Sequence, residues 1–365
     1  ALELKVGAMI FEIARSEIGY TSQRPAEYVS AVLGAAIKEG YTGPVFIQGD
    51  HFQVNGKKFA AGGAECDKEV QAVRDLTREA VAAGFYNIDI DTSTLVDLKQ
   101  PTVGEQQRNN YELCAEYTRF IRSIEPRKLT VSVGGEIGEV GKKNSTEEEL
   151  RAFMDGYNQS AQGVTGISKI SIQTGTSHGG VVLPDGKLAD VAIDFDTLMR
   201  LSKVARAEYR MAGAVQHGAS TLPAEAFGKF AECGACEVHL ATEFQNMMFE
   251  APAFPLNLKH EMYDWLDTNA ADERVAGETP EQFYYKTRKK ALGPFKKALW
   301  EMSAEIDEAI CGALQQKFEF LFQQLNVVNT YDMVLQAVKT AEMHREQPAG
   351  ATAAVAKDDV KGLAD

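Results

Sequence analysis

Short apolar runs alternate along the chain with longer segments whose apolar residues recur every three to four positions. The runs are KVGAMIFEIA (5–14), PVFIQ (44–48), FYNIDID (85–91), KLTVSV (128–133), SKISIQT (168–174), RMAGAVQ (210–216) and CEVHLA (236–241). Runs this short, rich in β-branched and aromatic residues and bounded by Gly or Pro, read as buried strands. Between the first two lies PAEYVSAVLGAAIKEG (25–40), with Pro near its start and Gly at its end, the punctuation of a helix. DKEVQAVRDLTREAVAAG (67–84) and EQQRNNYELCAEYTRFIRSI (105–124) repeat that design. Strands alternating with helices predict parallel βαβ units, either as a closed (β/α)8 TIM barrel or as an open doubly wound sheet. Seven strands are countable, one short of the barrel. Because the chain opens directly in a strand, the first β/α unit of a barrel is expected to lie outside the numbered segment.

Beyond residue 250 the alternation stops. The stretch 283–325 is helical by its spacing and reads as a cover for the barrel or a subunit contact. EQPAGATAAVAKDDVKGLAD (346–365) is poor in large apolar side chains and reads as a surface tail. The expected organisation is therefore a barrel carrying the active site (1–250), a C-terminal helical extension (251–345) and the tail (346–365). Additional C-terminal helices of this kind suit a homodimer or homotetramer.

Composition narrows the function. With 365 residues, 44% hydrophobic and 25% charged, the chain can bury a sizeable core. A net charge of −14 argues against nucleic acid or an anionic membrane as a general partner. No apolar run approaches the roughly 18 residues that span a bilayer. Five cysteines scattered through the chain suggest reduced thiols and a cytoplasmic setting. Cys233 and Cys236 form a CxxC without a second pair, and Cys236 reads as the first residue of a buried strand. So acidic a protein must hold any phosphate locally, with backbone amides, hydroxyls and metal.

Three of the six histidines share one context, the C-terminal end of an expected strand: His51 after PVFIQGD, His178 after KISIQTGTS and His217 after MAGAVQ. Active sites of parallel α/β folds gather at that end. Three imidazoles there suit a zinc-type site with one coordination position left open. Asp91 and Glu136 end two further strands, as ligands or as partners of ligands, and Asp50 beside His51 is placed for acid/base work. His239 sits in the last strand and can face the same site, whereas His260 and His344 lie in polar surroundings. The Gly-rich turns TGTSHGG (174–180) and HGAST (217–221), with Thr242 beyond the last strand, offer amides and hydroxyls to a phosphate. Lys169 lies at the wrong end of its strand for a Schiff-base lysine.

These blocks together resemble the class II, zinc-dependent fructose-bisphosphate and tagatose-bisphosphate aldolase family. PVFIQGDHF, IDIDTST, VSVGGEIGEVG, TGTSHGG with IDFDTLMRL, VQHGASTLP and ACEVHLATEFQ are similar to its successive motifs, in order, from about residue 5 to 325. The resemblance implies a (β/α)8 lyase that reversibly cleaves a ketose bisphosphate, foremost fructose 1,6-bisphosphate, to dihydroxyacetone phosphate and an aldehyde phosphate through a zinc-stabilised enediolate. It implies His51, His178 and His217 as Zn2+ ligands, with Glu136 and Asp91 near the metal and Asp50 as the catalytic acid/base. Gly179, Gly218, Ser220, Thr242 and His239 fall to the sugar phosphate, and a monovalent cation such as Na+ or K+ accompanies the phosphate site. The chain departs from the family at Gln48, where many relatives have histidine, and in the last block. There Glu237 replaces Lys, His239 replaces Asn and Ala241 replaces Asp. Those departures keep open an aldolase or epimerase acting on another sugar, or a barrel subunit that only binds a sugar phosphate. The family's loop glutamate has no clear counterpart in GKKNSTEEEL (141–150); Asn144 falls nearest, and STEEEL reads equally well as a helix cap.

Overall fold

The computed structural model describes residues 1–138, 143–175, 183, 193–220 and 222–343. Seven strands form one all-parallel sheet in chain order: β1 (Ile10–Ala14), β2 (Phe46–Gln53), β3 (Asn87–Asp91), β4 (Ser132–Glu136), β5 (Lys169–Ile172), β6 (Ala214–Gln216) and β7 (Glu237–Val238). In a flat sheet, six strand spacings would set β1 and β7 roughly 29 Å apart. Instead Glu12 of β1 lies 3.1 Å from His239, the residue after β7, and Gln48 of β2 lies 3.4 Å from Glu237 of β7. The sheet therefore curls until its edges face each other. No eighth strand is present among the described residues, and β1 and β7 are not hydrogen-bonded neighbours.

Alternation along each strand sorts its side chains. Ile88 and Ile90 of β3, and Ile170 and Ile172 of β5, join Val81, Leu113, Tyr117, Phe153 and Leu201 in the main core, between the sheet and the surrounding helices. Asp89 and Asp91, Lys169 and Ser171 occupy the alternate positions, which in a curled sheet point inward. All four are buried. The apolar layer is thus outside the sheet and a polar layer fills its interior. That layer cannot persist unless its charges are paired.

Several boundaries differ from the sequence expectation. β4 runs through Gly134 and Gly135 to Glu136 instead of ending at Val133. Glycine is required there because a Cβ on residue 134 would meet Asp89 Oδ1 at 2.3 Å. β7 starts at Glu237, one residue after Cys236, whose amide donates to Ala214 O at 2.9 Å. The stretch 283–325 is broken: helices Pro280–Thr287, Lys296–Trp300 and Ala304–Gln324 are separate. Gly293 lies in one of the breaks, where a Cβ would sit 2.4 Å from Tyr20 O, so the extension touches the first helix of the barrel at close range. Phe254, Met262, Leu266 and Phe283 of the extension form, with Phe249 of the preceding helix, an apolar cluster separate from the main core. The tail expected over 346–365 lies outside the described residues. No helix among the described residues is long and apolar enough to cross a membrane, and all five cysteines are free thiols.

Candidate active site

Asp50 and His51 are neighbours, and neighbours in a regular strand point to opposite faces. Here they do not. The register between β2 and β3 shifts between Gly49 and Phe52, and His51 takes a left-handed backbone conformation with φ of 39°. A bulge of this kind re-aims a side chain, and a non-glycine residue held at positive φ is strained. The distortion turns both side chains into the sheet's interior. β2 also continues past the pair to Gln53, so they lie within the strand, not just beyond it.

His51 Nδ1 lies 3.1 Å from Asp91 Oδ2 and 3.4 Å from Glu136 Oε2. Asp91 is fixed in turn by the Ser93 amide and hydroxyl and by Gln53 Nε2. The His51 ring stands 4.3 Å from that of His217, which stands 4.4 Å from His239. His217 Nε2 is 3.0 Å from Ser171 Oγ, and His239 Nδ1 is 3.2 Å from Asp50 Oδ1. Donor atoms of His51, Glu136 and His217 lie within 4.8 Å of one another, as do those of Asp50, His217 and His239. The structure therefore brings together Asp50, His51, Asp91, Glu136, His217 and His239. His178 and Gly179 lie outside the described residues.

Charge at this mouth is out of balance. Burial drives the Glu136 carboxyl up, and nearby Asp91 adds to it, to about 7. Burial alone would lower the His51 pKa, but Asp50, Asp91 and Glu136 outweigh it and hold it well above the ordinary value. Asp50 would likewise rise on burial, yet His51, His239 and His217 hold it well below the carboxylate range. Imidazoles and carboxylates are the donor set of a borderline divalent cation. An ion among His51, Glu136 and His217 suits the surplus of buried negative charge, and Asp91 on the Nδ1 side of His51 is the usual orienting partner of a ligating histidine.

Deeper in the sheet a second polar cluster is already paired. Lys169 Nζ lies 3.0 Å from Asp89 Oδ1 and 2.5 Å from Glu237 Oε2, and donates to Gln48 Oε1. Burial would lower the Lys169 pKa, but Asp89 and Glu237 raise it, so the ammonium is locked and is no imine-forming nucleophile. Burial would raise Glu237, yet Lys169 and His239 bring it down to about 2. Glu237 and Gln48, two of the departures from the family pattern, are members of this cluster.

A cavity of about 240 Å³ opens onto the mouth, lined by Asp50, His217, Gly218, Ser220, His239 and Thr242 together with Glu12, Glu17, Tyr20 and Tyr28. The phosphate candidates Gly218, Ser220 and Thr242 thus share one space with the histidines. Ser220 Oγ accepts from the Ala241 amide at 3.0 Å, tying the β6 turn to the start of the helix Thr242–Phe249. Sequence reasoning missed Glu12, Glu17 and Asp89. The signal for Glu12 was an acid inside the apolar run MIFEIA, and Asp89 is two residues from Asp91 on the same face of β3. Thr146 and Glu149 form a capping box on the helix Glu147–Ser160, and Asn144 donates to Asp194, so STEEEL is a helix cap. His260 is exposed and His344 lies outside the described residues.

Residues 2–311 match the family described as fructose-bisphosphate aldolase class-II. No curated protein sequence matches the chain. Among solved structures, a probable tagatose 6 phosphate kinase from Sinorhizobium meliloti is similar at 15% identity and a TM-score of 0.58, over 92% of this chain and 88% of that one. A fructuronate-tagaturonate epimerase from Cohnella laeviribosi is similar at 12% identity and a TM-score of 0.50, over 90% and 75%. A fructose-bisphosphate aldolase from Campylobacter jejuni is 15% identical over 90% and 84%, at a TM-score of 0.47. At such identities the first two likenesses speak to the fold alone.

Proposed function

The chain belongs to the class II fructose-bisphosphate aldolase family, and from that premise we propose that it is a zinc-dependent aldolase. It reversibly cleaves a ketose phosphate to dihydroxyacetone phosphate and an aldehyde. The observation that carries the reading is the convergence of His51, His217 and Glu136 on one buried point beside Asp50. In this reading His51 and His217, with His178, hold the ion, Glu136 stands beside it, and Asp91 keeps His51 oriented. Zinc, when bound, supplies Lewis acidity toward substrate oxygens and offsets the negative charge left by carbon–carbon cleavage. Eightfold closure of the barrel belongs to the same reading, supported by the seven parallel strands and the contact of Glu12 with His239 across the remaining seam.

The chain's own groups divide the remaining work. Asp50, held ionised beside the imidazoles, accepts the proton of the substrate hydroxyl that becomes the aldehyde oxygen, and returns it in the condensation direction. His239, 3.2 Å away, fixes the Asp50 carboxylate. Gly218, Ser220 and the start of the helix at Thr242 bind the phosphate with amides and hydroxyls. Lys169, locked in its ion pairs, leaves the imine route without a nucleophile at this site.

Chelation should abolish cleavage of ketose phosphates and added Zn2+ should restore it. Full activity in the chelated protein would refute the reading. A second reading, epimerisation of a related sugar, draws on Glu237 and His239 standing where relatives have Lys and Asn. Fructose and tagatose bisphosphates incubated side by side separate the two: new ketose without any triose phosphate means epimerase.

A further inference from the structure

The cavity beside the histidines has an end that the aldol chemistry does not use. Its wall is made by β1 and the helix Arg15–Tyr20 on one side and by the helix Thr242–Phe249 on the other. Besides Glu12 and Glu17, the lining there is Tyr20, Thr21, Gln23, Tyr28 and Gln245. Among the described residues that line the cavity, none is Lys or Arg. Lys289 of the extension reaches the Tyr20 ring, 5.7 Å from its centre, but is not part of the lining.

The groups are fixed in place. Glu17 Oε2 accepts from the Ala14 amide at 2.8 Å, and Gln245 Nε2 donates to the Tyr20 hydroxyl at 3.0 Å. The Tyr28 hydroxyl donates to Glu12 O at 2.7 Å. Glu12 Oε2 lies 3.1 Å from His239 Nδ1 and accepts from Gln48 Nε2 at 3.1 Å. Carboxyls, amides and hydroxyls held this way match the alternating donors and acceptors of a polyol chain. A phosphate there would find no cationic partner among the described residues lining that end, so its charge would be buried uncompensated.

We propose that this end of the cavity takes an uncharged, polyhydroxylated chain, so that the substrate carries phosphate only at the carbonyl end near Gly218 and Ser220. The inference rests on the aldolase reading for the identity of the reaction. The substrate class is then a ketose 1-phosphate, and the acceptor in condensation is an unphosphorylated hydroxyaldehyde. Fructose 1,6-bisphosphate, the substrate expected from the family resemblance, is disfavoured because its second phosphate meets no cation among the described residues lining that end.

The test uses the full-length, zinc-loaded protein. In condensation with dihydroxyacetone phosphate, glyceraldehyde should show kcat/KM at least about tenfold above glyceraldehyde 3-phosphate. Preference for the phosphorylated aldehyde would overturn the proposal. Calorimetric binding of a hexitol 1-phosphate against the matching hexitol 1,6-bisphosphate needs no turnover. The monophosphate should bind about tenfold more tightly, and equal or tighter binding of the bisphosphate would overturn the proposal. Preferential binding of the monophosphate without condensation of either aldehyde would refute the aldolase reading and leave this assignment standing. Gln23→Lys, which places a cation on this wall away from the phosphate candidates, should narrow the preference several-fold.

Discussion

The two polar layers inside the sheet solve one problem in opposite ways. The deeper layer carries its own ammonium: Lys169 sits between Asp89 and Glu237 and takes Gln48 as a further partner. At the mouth, the counter-charges to Asp50, Asp91 and Glu136 among the described residues are imidazoles. A layer closed by lysine is a structural element. A layer whose charge waits for a proton or a divalent cation is a site. Paired residues of similar type thus differ in function because one set has a permanent counter-charge and the other does not.

The sharpest way to break this contrast is at Asp50. Asp50→Asn should lower turnover by roughly 10²–10⁴-fold while zinc content stays near that of the wild type. Loss of zinc along with activity would make Asp50 a ligand instead of a proton carrier. In the deeper layer, Lys169→Met should destabilise the fold by about 3–5 kcal/mol in denaturant unfolding, because two buried carboxylates lose their partner. Adding Glu237→Gln to that variant should recover part of the loss. A Lys169→Met protein as stable as the wild type would show that the layer is not closed by this ion pair. Asp91→Asn, which leaves the ring of His51 less firmly oriented, should weaken zinc affinity roughly 10–100-fold in a competition titration.

A smaller effect separates the layers by pH. Glu12 and Glu136 are raised, first by burial and then by neighbouring acids, from an ordinary 4.5 to about 8 and about 7. As pH rises from about 5 to 8, the unfolded chain gives up these protons while the fold retains them, so the metal-free protein loses stability over that window. His51 and His239, held well above their ordinary value, act in the same direction. Glu237, lowered to about 2, acts oppositely: its stabilisation is present above about 4.5 and is lost as pH falls toward 2. The Tm of the metal-free protein should therefore peak in mild acid and decline toward pH 8. Zinc should lessen the alkaline decline. A flat profile between pH 5 and 8 would contradict the charge imbalance at the mouth.

Much of this is legible in the sequence. Strand order followed from the alternation of apolar runs, and Asp50, His51, Asp91, Glu136 and His217 could be named because each stands at the end of such a run. The bulge at His51 was not legible, since a register shift arises from the pairing of β2 with β3 and leaves no local composition signal. Lys169 was judged only by its position at the strand start; its partners come from β3 and β7, far away in the chain. Gly134 and Gly135 lie past the apolar run 128–133, and strand propensity does not register why glycine stands there, the close approach of the Asp89 side chain. Glu12 and Glu17 were passed over for the same reason: their role depends on a cavity wall that exists only once the sheet has curled.

The central claim is that the mouth layer is neutralised by a divalent cation. Zinc titrated calorimetrically into chelator-treated protein, in buffers of different ionisation enthalpy, tests it directly. The account predicts one tight site per chain, release of protons on binding as His51 and Glu136 give theirs up, and loss of that site in His217→Ala. Absence of tight binding in the wild type, or an undiminished site in His217→Ala, would contradict it.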